Sequence, residues 1–390
     1  QENLYAGTSA GAASDADTCF NVGIGYEALK AVNEGDNNVA IGPKAGMSQT
    51  SGYGLVAIGC CAVASSQSGN VNIGIGYYTL SAATGSCNTA IGWAAGNQVS
   101  SSNHNIFLGT SAGQYNTTGS CNIALGVCAG RGQVSGKATG NHNVSLGTFA
   151  GRELTSGGYN VFLGLDAGKT VTTGTENIFL GCGAGGTGTM TADHNIGLGV
   201  EAGRKITSGA ENVHIGYKPG AEQTTGTANV YIGKETAEQR ESGNSNIAIG
   251  HQTLYGDSTP ANNTASYNIS LGSYAGKNVT SGNYNLYFGH ATGCLTTDGH
   301  SNIALGCKAL QGNVSADFNI AIGFGSLKYP KFCAFAEKVS GLIKPLDNFS
   351  EIVPLVKVNR RSVVEFNKWI EMWNNSKLTK IKFNEMEIET

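Results

Sequence analysis

Three histidines recur at one position of a repeated pattern and are the first candidates for metal or acid–base chemistry. His104, His142 and His194 each directly precede an asparagine that returns throughout the chain. In a threefold assembly such a histidine would meet its two copies around an axis, where a metal ion or an anion could bind. The three occupy non-adjacent repeats and have no carboxylate at a fixed offset. We therefore interpret them as surface or interface residues and predict no metal site.

Carboxylates within the repeats are the second candidates. Glycoside cleavage requires two carboxylates roughly 5–10 Å apart, and Glu153, Asp166 and Glu201 lie in repeats where no pair stands out. Glycine-rich phosphate loops require a helix after the loop, whereas here every Gly-x-x-Ala-Gly leads into another strand-like segment. We predict no catalytic residues and no cofactor, and hence a protein that is not an enzyme.

Composition narrows the classes of partner. With a formal net charge of −3 the chain has no basic field for nucleic acid, and it has no apolar run of about 20 residues that would span a membrane. Its 10 cysteines show no Cys-x-x-Cys pair. Cys87 and Cys121 fall at the same position two repeats apart, roughly 9–10 Å in a stacked structure, which exceeds disulfide reach. The cysteines are interpreted as reduced small hydrophobes.

The element that positions all these side chains is a repeat of about 17 residues, represented by Asn160 to Gly168. It reads Asn, aliphatic, variable, aliphatic, Gly, two variable residues, Ala and Gly, usually followed by Thr-Ser-Gly or Thr-Thr-Gly. Nineteen copies run from Asn3 to Leu327. A fixed period of this kind indicates a solenoid. The sequence therefore predicts an all-β fold, a parallel β-solenoid or β-roll roughly 90 Å long.

Alternation within each repeat predicts a short strand. The two aliphatic residues, such as Ile106 and Leu108, are expected to share one face and stack into a continuous dry column. The residue between them is small or aromatic, as in Ala124 and Phe107, and is expected on the opposite face. That second face would pack against something else. The glycines of the strand end and of the Thr-x-Gly group are expected to form corners with positive φ.

The repeat asparagine is present in eighteen of nineteen copies and is replaced only by Leu55. We interpret it as a structural ladder whose side-chain amides bond one repeat to the next. The representative ladder positions are Asn38, Asn105, Asn122, Asn160, Asn177, Asn246, Asn302 and Asn319.

Function is expected where the repeat breaks. Surplus residues fall between Gly130 and Asn143 and between Leu254 and Asn268, and insertions in a solenoid leave the stack as loops. The second loop carries the candidate contact residues Tyr255, Asp257 and Asn263.

The domains are residues 1–327, the repeat rod, and residues 328–390, a small α/β domain for capping, trimerisation or attachment. Ser362 to Glu365 form a capping box that opens a helix. On this helix Trp369 and Trp373 are further contact candidates, although core or trimer-interface roles are the alternative.

The unit Asn-aliphatic-Ala-Ile-Gly, seen at Asn38–Gly42, Asn246–Gly250 and Asn319–Gly323, resembles the repeats of phage tail-fibre proteins. It is more distantly similar to the head domains of trimeric autotransporter adhesins, in which three β-rolls pack side by side. The resemblance covers residues 3–327 and implies architecture; it carries no site to transfer. The chain departs from the adhesins because their repeat is nearer 14 residues and because it lacks their stalk and membrane-anchor strands.

These observations lead us to expect a parallel homotrimer that serves as a structural fibre or appendage of a virus particle, in particular a phage. The rod would be a rigid spacer, assembled in the host cytoplasm and exposed on the virion. Its partners would be itself, other virion proteins and a host surface receptor or glycan bound by weak multivalent contacts. The alternatives are a cell-surface adhesin or extracellular filament subunit, and a tailspike that degrades host glycans.

Overall fold

The computed structural model of the protein describes residues 2–134 and 137–328. Every strand is three residues long because the repeat offers only one alternating segment before a glycine turns the chain. The strands are β1 Leu4–Ala6, β2 Val22–Ile24, β3 Val39–Ile41, β4 Val56–Ile58, β5 Ile73–Ile75, β6 Thr89–Ile91, β7 Ile106–Leu108, β8 Ile123–Leu125, β9 Val144–Leu146, β10 Val161–Leu163, β11 Ile178–Leu180, β12 Ile196–Leu198, β13 Val213–Ile215, β14 Val230–Ile232, β15 Ile247–Ile249, β16 Ile269–Leu271, β17 Leu286–Phe288, β18 Ile303–Leu305 and β19 Ile320–Ile322.

Each strand pairs in parallel with the next, so the strands form a single 19-stranded sheet along the rod. The register is exact at every step, as where Val161, Phe162 and Leu163 of β10 pair with the equivalent residues of β11. We call one strand together with its return path a rung. The predicted all-β parallel solenoid of nineteen rungs is confirmed. In the described residues no helix has the length and apolar character needed to cross a membrane.

The side chains of each strand face the opposite way from the prediction. The central residue of each strand points into the solenoid, where Phe107 is 1% exposed and Phe162 and Ala124 are equally enclosed. The aliphatic pair points outward, with Ile106 at 40% and Leu163 at 47% exposure. Alternation distinguishes two faces but does not say which one is inside. The interior is narrow, so the side chain that enters it must fit beside the residues already packed there.

That matching involves the residue four positions after the strand-end glycine, which also faces the interior. Where the central residue is aromatic, this position is glycine or alanine, as for Phe107 with Gly113. Leucine or valine occurs there only beside a central Gly or Ala, as for Ala248 with Leu254. A Cβ on Gly113 would lie 2.4 Å from the Phe107 ring. A large side chain at one of these two positions therefore excludes a large side chain at the other, which prevents overpacking of the interior.

Glycines shape the corners for two different physical reasons. Gly164, at the end of β10, has φ of +132°, and its equivalents lie between +109° and +137°. Gly157, in the Thr-x-Gly group, does not have positive φ, contrary to the prediction; a Cβ there would lie 2.2 Å from the Gly174 carbonyl oxygen of the next rung. Positive φ occurs instead at non-glycine residues just before the repeat asparagine, such as Tyr159 at +59°. Close stacking, rather than backbone freedom, requires the Thr-x-Gly glycine.

Both insertions leave the stack and rejoin it. After Gly130 the chain returns at Ala138, which makes a parallel bridge to Asn116. The second insertion contains a short 3-10 helix, Pro260–Asn262. Most of the predicted C-terminal domain, residues 329–390 with Trp369 and Trp373, lies outside the described residues.

Candidate functional site

The repeat asparagines form a buried ladder, and Asn160 shows its geometry. The Asn160 Oδ1 atom accepts from the backbone N–H of Asn177 at 2.9 Å and from its side-chain amide at 3.1 Å. Its Nδ2 donates to the Gly174 carbonyl oxygen at 2.8 Å and to Asn143 Oδ1 at 3.0 Å. One side chain thus satisfies polar groups in the rungs on both sides, which is a structural role.

The single exception, Leu55, is compensated by a residue of the preceding rung. Gln49 is buried and donates from Nε2 to the Gly69 carbonyl oxygen at 3.1 Å. Gly69 stands fourteen residues after Leu55, the same offset that separates Asn160 from Gly174. An amide therefore still reaches the corner carbonyl where the ladder lacks its asparagine.

A second, outer ladder was not predicted. Polar side chains two residues before the repeat asparagine accept from the backbone N–H of the preceding rung, as Asn141 Oδ1 does from Ser120 at 2.7 Å. Asp193 accepts in the same way from Thr175 at 2.7 Å, and His300 from Asn283 at 3.0 Å. The recurrence of Asp, Asn, Ser and His at this position was the available signal. These residues close the corner and do not form a ligand site.

The three histidines singled out in the sequence are surface residues and are not brought together. His142 stacks on Tyr159, with ring centroids 4.8 Å apart. His194 does have a carboxylate neighbour, because its Nε2 lies 3.1 Å from Glu176 Oε2 in the adjacent rung. No group of three His, Cys, Asp or Glu side chains that could hold a metal ion occurs in residues 2–134 and 137–328.

The three carboxylates are each engaged by a nearby cation. Glu153 pairs with Arg152, Asp166 with Lys169 at 3.1 Å, and Glu201 with Arg204 at 3.0 Å. Arg204 also reaches Glu222 of the next rung at 2.5 Å. Counted by their strands, these pairs lie on the corner face of rungs 9 to 13. Being partly exposed, each contributes little to stability.

The second insertion is anchored from within. Asn263, a candidate contact residue, is buried, so it is not available at the surface. Its Oδ1 accepts from the backbone N–H of Asp257 at 2.9 Å, and its Nδ2 donates to the Gln239 carbonyl at 2.7 Å. Tyr255 and Asp257 are half-buried. The residues the loop exposes are Ser258, Thr259, Ala261, Asn262 and Thr264.

Beneath this loop the interior holds a fully buried cation. The guanidinium of Arg240 donates to the carbonyl oxygens of Ala265 at 3.2 Å and Val279 at 2.9 Å. Burial lowers its pKa and raises the pKa of Tyr231 to about 12. Arg240 therefore ties the end of the insertion to the rung that follows it.

His214 lies in the same polar part of the interior and gives a pH-dependent prediction. Burial lowers its pKa to about 4, whereas an unfolded histidine titrates near 6.5. Below pH ~6.5 the unfolded chain takes up the proton first, so the free energy of unfolding should fall by up to roughly 3 kcal/mol by pH ~4. His214→Phe should remove this part of the pH dependence.

The measurement is urea unfolding of both proteins at a series of pH values between 7 and 4. Phenylalanine occupies the same strand position at Phe107, so the replacement suits the interior. Lost hydrogen bonding to Gln223 lowers the variant's stability equally at every pH. Parallel pH curves for the two proteins would contradict the prediction.

The chain was compared with protein-family models, curated proteins and solved structures, and no match was found.

Proposed function

We propose that the chain is a structural rod, a parallel homotrimer that serves as the shaft of a virus-particle appendage. The observation that carries this proposal is the outward-facing strip formed by the first and third residues of all nineteen strands, which are aliphatic except for Thr89 and Phe288. The support for a virus particle is the resemblance of the repeat to phage tail-fibre repeats. The support for self-association comes from the strip itself.

The strip is long, continuous and uncharged. None of its strand residues carries a formal charge. Ile123 and Leu125 are 37% and 46% exposed, and the other members are half-buried or exposed. Two side-chain columns over nineteen rungs make a band roughly 10 Å wide and 85 Å long, or about 850 Å². A contiguous apolar band of this size marks an interaction site. In a trimer each copy divides the band between two neighbours, about 425 Å² for each, so the flanking side chains must supply the rest of the ~800 Å² per partner of a standard interface.

A second copy of this chain is the partner that fits the whole band. In a parallel arrangement with threefold symmetry, every rung meets the same rung of its neighbours, so the strips match along their full length. Exposed apolar side chains flank the strip on both sides, including Tyr159 at 60% and Tyr284 at 62% before the strand, and Trp93 at 53% and Leu165 at 49% after it. In a closed trimer one flank of each copy contacts the opposite flank of the next.

The first test is the mass of the assembly. Light scattering coupled to size exclusion should give three times the chain mass for the native protein. The double variant Ile123→Asp/Leu163→Asp should give the monomer mass, because two carboxylates per copy would be buried unpaired in the interface.

The matched control is Ser156→Asp/Thr173→Asp, which adds the same charge at exposed corners away from the strip. This control should remain trimeric. A monomer mass for the native protein would reject the trimer, and a dimer mass would reject the threefold arrangement.

Host attachment is assigned to the parts that depart from the repeat, namely the exposed residues of the 258–264 loop and residues 328–390. Three copies of each in one rod would give multivalent binding from weak individual contacts. Antibodies raised against the chain should label projecting fibres on purified virus particles. Labelling of cell-surface filaments instead would favour the adhesin alternative.

A further inference from the structure

One pair of cysteines occupies a single corner of the rod. Cys60 and Cys61 follow the glycine that ends β4, and their Sγ atoms lie 3.5 Å apart. The corner is held by the stack, since Cys61 N–H donates to the Pro43 carbonyl at 2.9 Å and the Cys60 carbonyl accepts from Tyr78 N–H at 3.0 Å. Both thiols are half-buried and therefore reachable from solvent.

The separation of the two sulfurs suits one bridging atom better than a direct bond. Two thiolates bonded to one centre at ~2.3 Å lie about 3.5–3.8 Å apart for bond angles of roughly 100–110°. A disulfide needs ~2.05 Å, so its formation would require the sulfurs to approach by well over 1 Å. The backbone places Cys61 at φ of +57°, a conformation shared by the equivalent residues of other rungs, so the pairing does not depend on a local distortion.

The kind of bridging atom follows from the number of ligands. A structural zinc ion requires four protein ligands, and the described part of the chain has no cluster of three His, Cys, Asp or Glu side chains. A trivalent thiophilic centre that already carries one substituent of its own needs only two thiolates. Soft thiolates also favour such soft centres over hard cations.

We propose that Cys60 and Cys61 form a dithiol site that binds one trivalent arsenic-type centre through both sulfurs. With an organoarsenical oxide, two S–H bonds and the As–O bond are replaced by two As–S bonds. The two thiol hydrogens leave with the oxide oxygen as one water molecule, so no oxidant or reductant is required. The inference is independent of the proposed rod function.

The other corner cysteines provide single-thiol comparisons. Cys128 and Cys307 occupy the corner positions equivalent to Cys61 and Cys60, but their immediate neighbours are not cysteines. A single thiol forms only one As–S bond, and the adduct is readily removed by competing monothiol. When a second, neighbouring thiol forms another As–S bond, removal of the arsenical by competing monothiol should become roughly 10²-fold less favourable.

The test uses the full chain and phenylarsine oxide, with intact-mass and peptide-mapping mass spectrometry in the presence of excess monothiol. We expect one phenylarsenic group per chain, located on the peptide containing Cys60 and Cys61 and released by a competing dithiol. Cys60→Ser and Cys61→Ser should each lose the monothiol-resistant adduct, whereas Cys128→Ser and Cys307→Ser should keep it. Circular dichroism would establish that each variant remains folded.

Retention of the adduct in a folded Cys60→Ser or Cys61→Ser variant would overturn the proposal. So would an adduct that maps elsewhere in the native chain, for example to Cys333. Zinc ions at the same concentration should not displace the arsenical, and displacement would contradict the assignment to a two-ligand centre. The oligomeric mass, measured on the same samples, tests the rod function separately.

Discussion

Gly113→Leu is expected to lower the local free energy of unfolding around β7 by about 3 kcal/mol, through overpacking and a left-handed backbone. Gly113 has φ of +58°, and its Cβ would lie 2.4 Å from the ring of Phe107. The measurement is hydrogen exchange at Ile106–Leu108 and the neighbouring strands, since repeat proteins open locally.

Two further variants separate the steric effect from the backbone effect. Gly325 has φ of +61° with nothing within 4 Å of its Cβ position, so Gly325→Leu tests the left-handed conformation alone. If Gly325→Leu destabilised its own rung as much as Gly113→Leu destabilises the rung of β7, the clash with Phe107 would not be the cause of the destabilisation. Phe107→Ala alone should cost about 3–5 kcal/mol.

The double variant Phe107→Ala/Gly113→Leu should be less unstable than the sum of the two single variants, by about 2 kcal/mol. It reproduces the combination found at Ala248 and Leu254. The next rung has small Ala124 at the centre of its strand, and a cavity of about 20 Å³ lies beside Ala124 and Gly130. Strict additivity would contradict the volume matching.

Asn160→Leu is expected to destabilise rungs 9 to 11 by about 3–5 kcal/mol, because it leaves buried groups without partners. The groups are the backbone N–H of Asn177 and the carbonyl of Gly174, which the native amide satisfies at 2.9 and 2.8 Å. Hydrogen-exchange protection of β9 to β11 would report the loss. An effect below about 1 kcal/mol would mean that water reaches these groups.

Leu154→Gln should restore part of that loss, roughly 1–2 kcal/mol, by one recovered hydrogen bond. Leu154 stands six residues before Asn160, as Gln49 stands six before Leu55. The double variant would therefore copy the natural arrangement in which Gln49 Nε2 reaches the Gly69 carbonyl at 3.1 Å. In the native background Leu154→Gln should only destabilise, which serves as the control.

Much of the architecture was predictable from the sequence because one pattern repeats nineteen times. Repetition of Asn-aliphatic-x-aliphatic-Gly implies equivalent rungs, and equivalent rungs can only stack. The Asn ladder was also predictable, since a polar residue kept at one position of an apolar segment must meet its own copies. The role of Gln49 was not predictable from the repeat, because its replacement of the missing asparagine at Leu55 depends on which residues share the interior.

The candidate contact residues were less predictable. Asp257 and Asn263 both belong to an insertion, and sequence alone treats them alike. The structure separates them, because Asn263 is enclosed by the backbone of the loop while the neighbouring Asn262 is exposed. The proximity of Cys60 and Cys61 as a dithiol likewise depends on a corner conformation that residue types do not specify.

The sequence by itself determined the period, the number of rungs, the positions of the strands and the places where the repeat is interrupted. Only the tertiary structure decided that Phe107 and its equivalents face inward while Ile106 and Leu108 face outward. Alternation of side chains along a strand is symmetric between the two faces. Closure of the coil decides which face is inside. Its narrow interior holds one side chain from each strand, and the volume of that side chain limits the size of the residue at the position of Gly113.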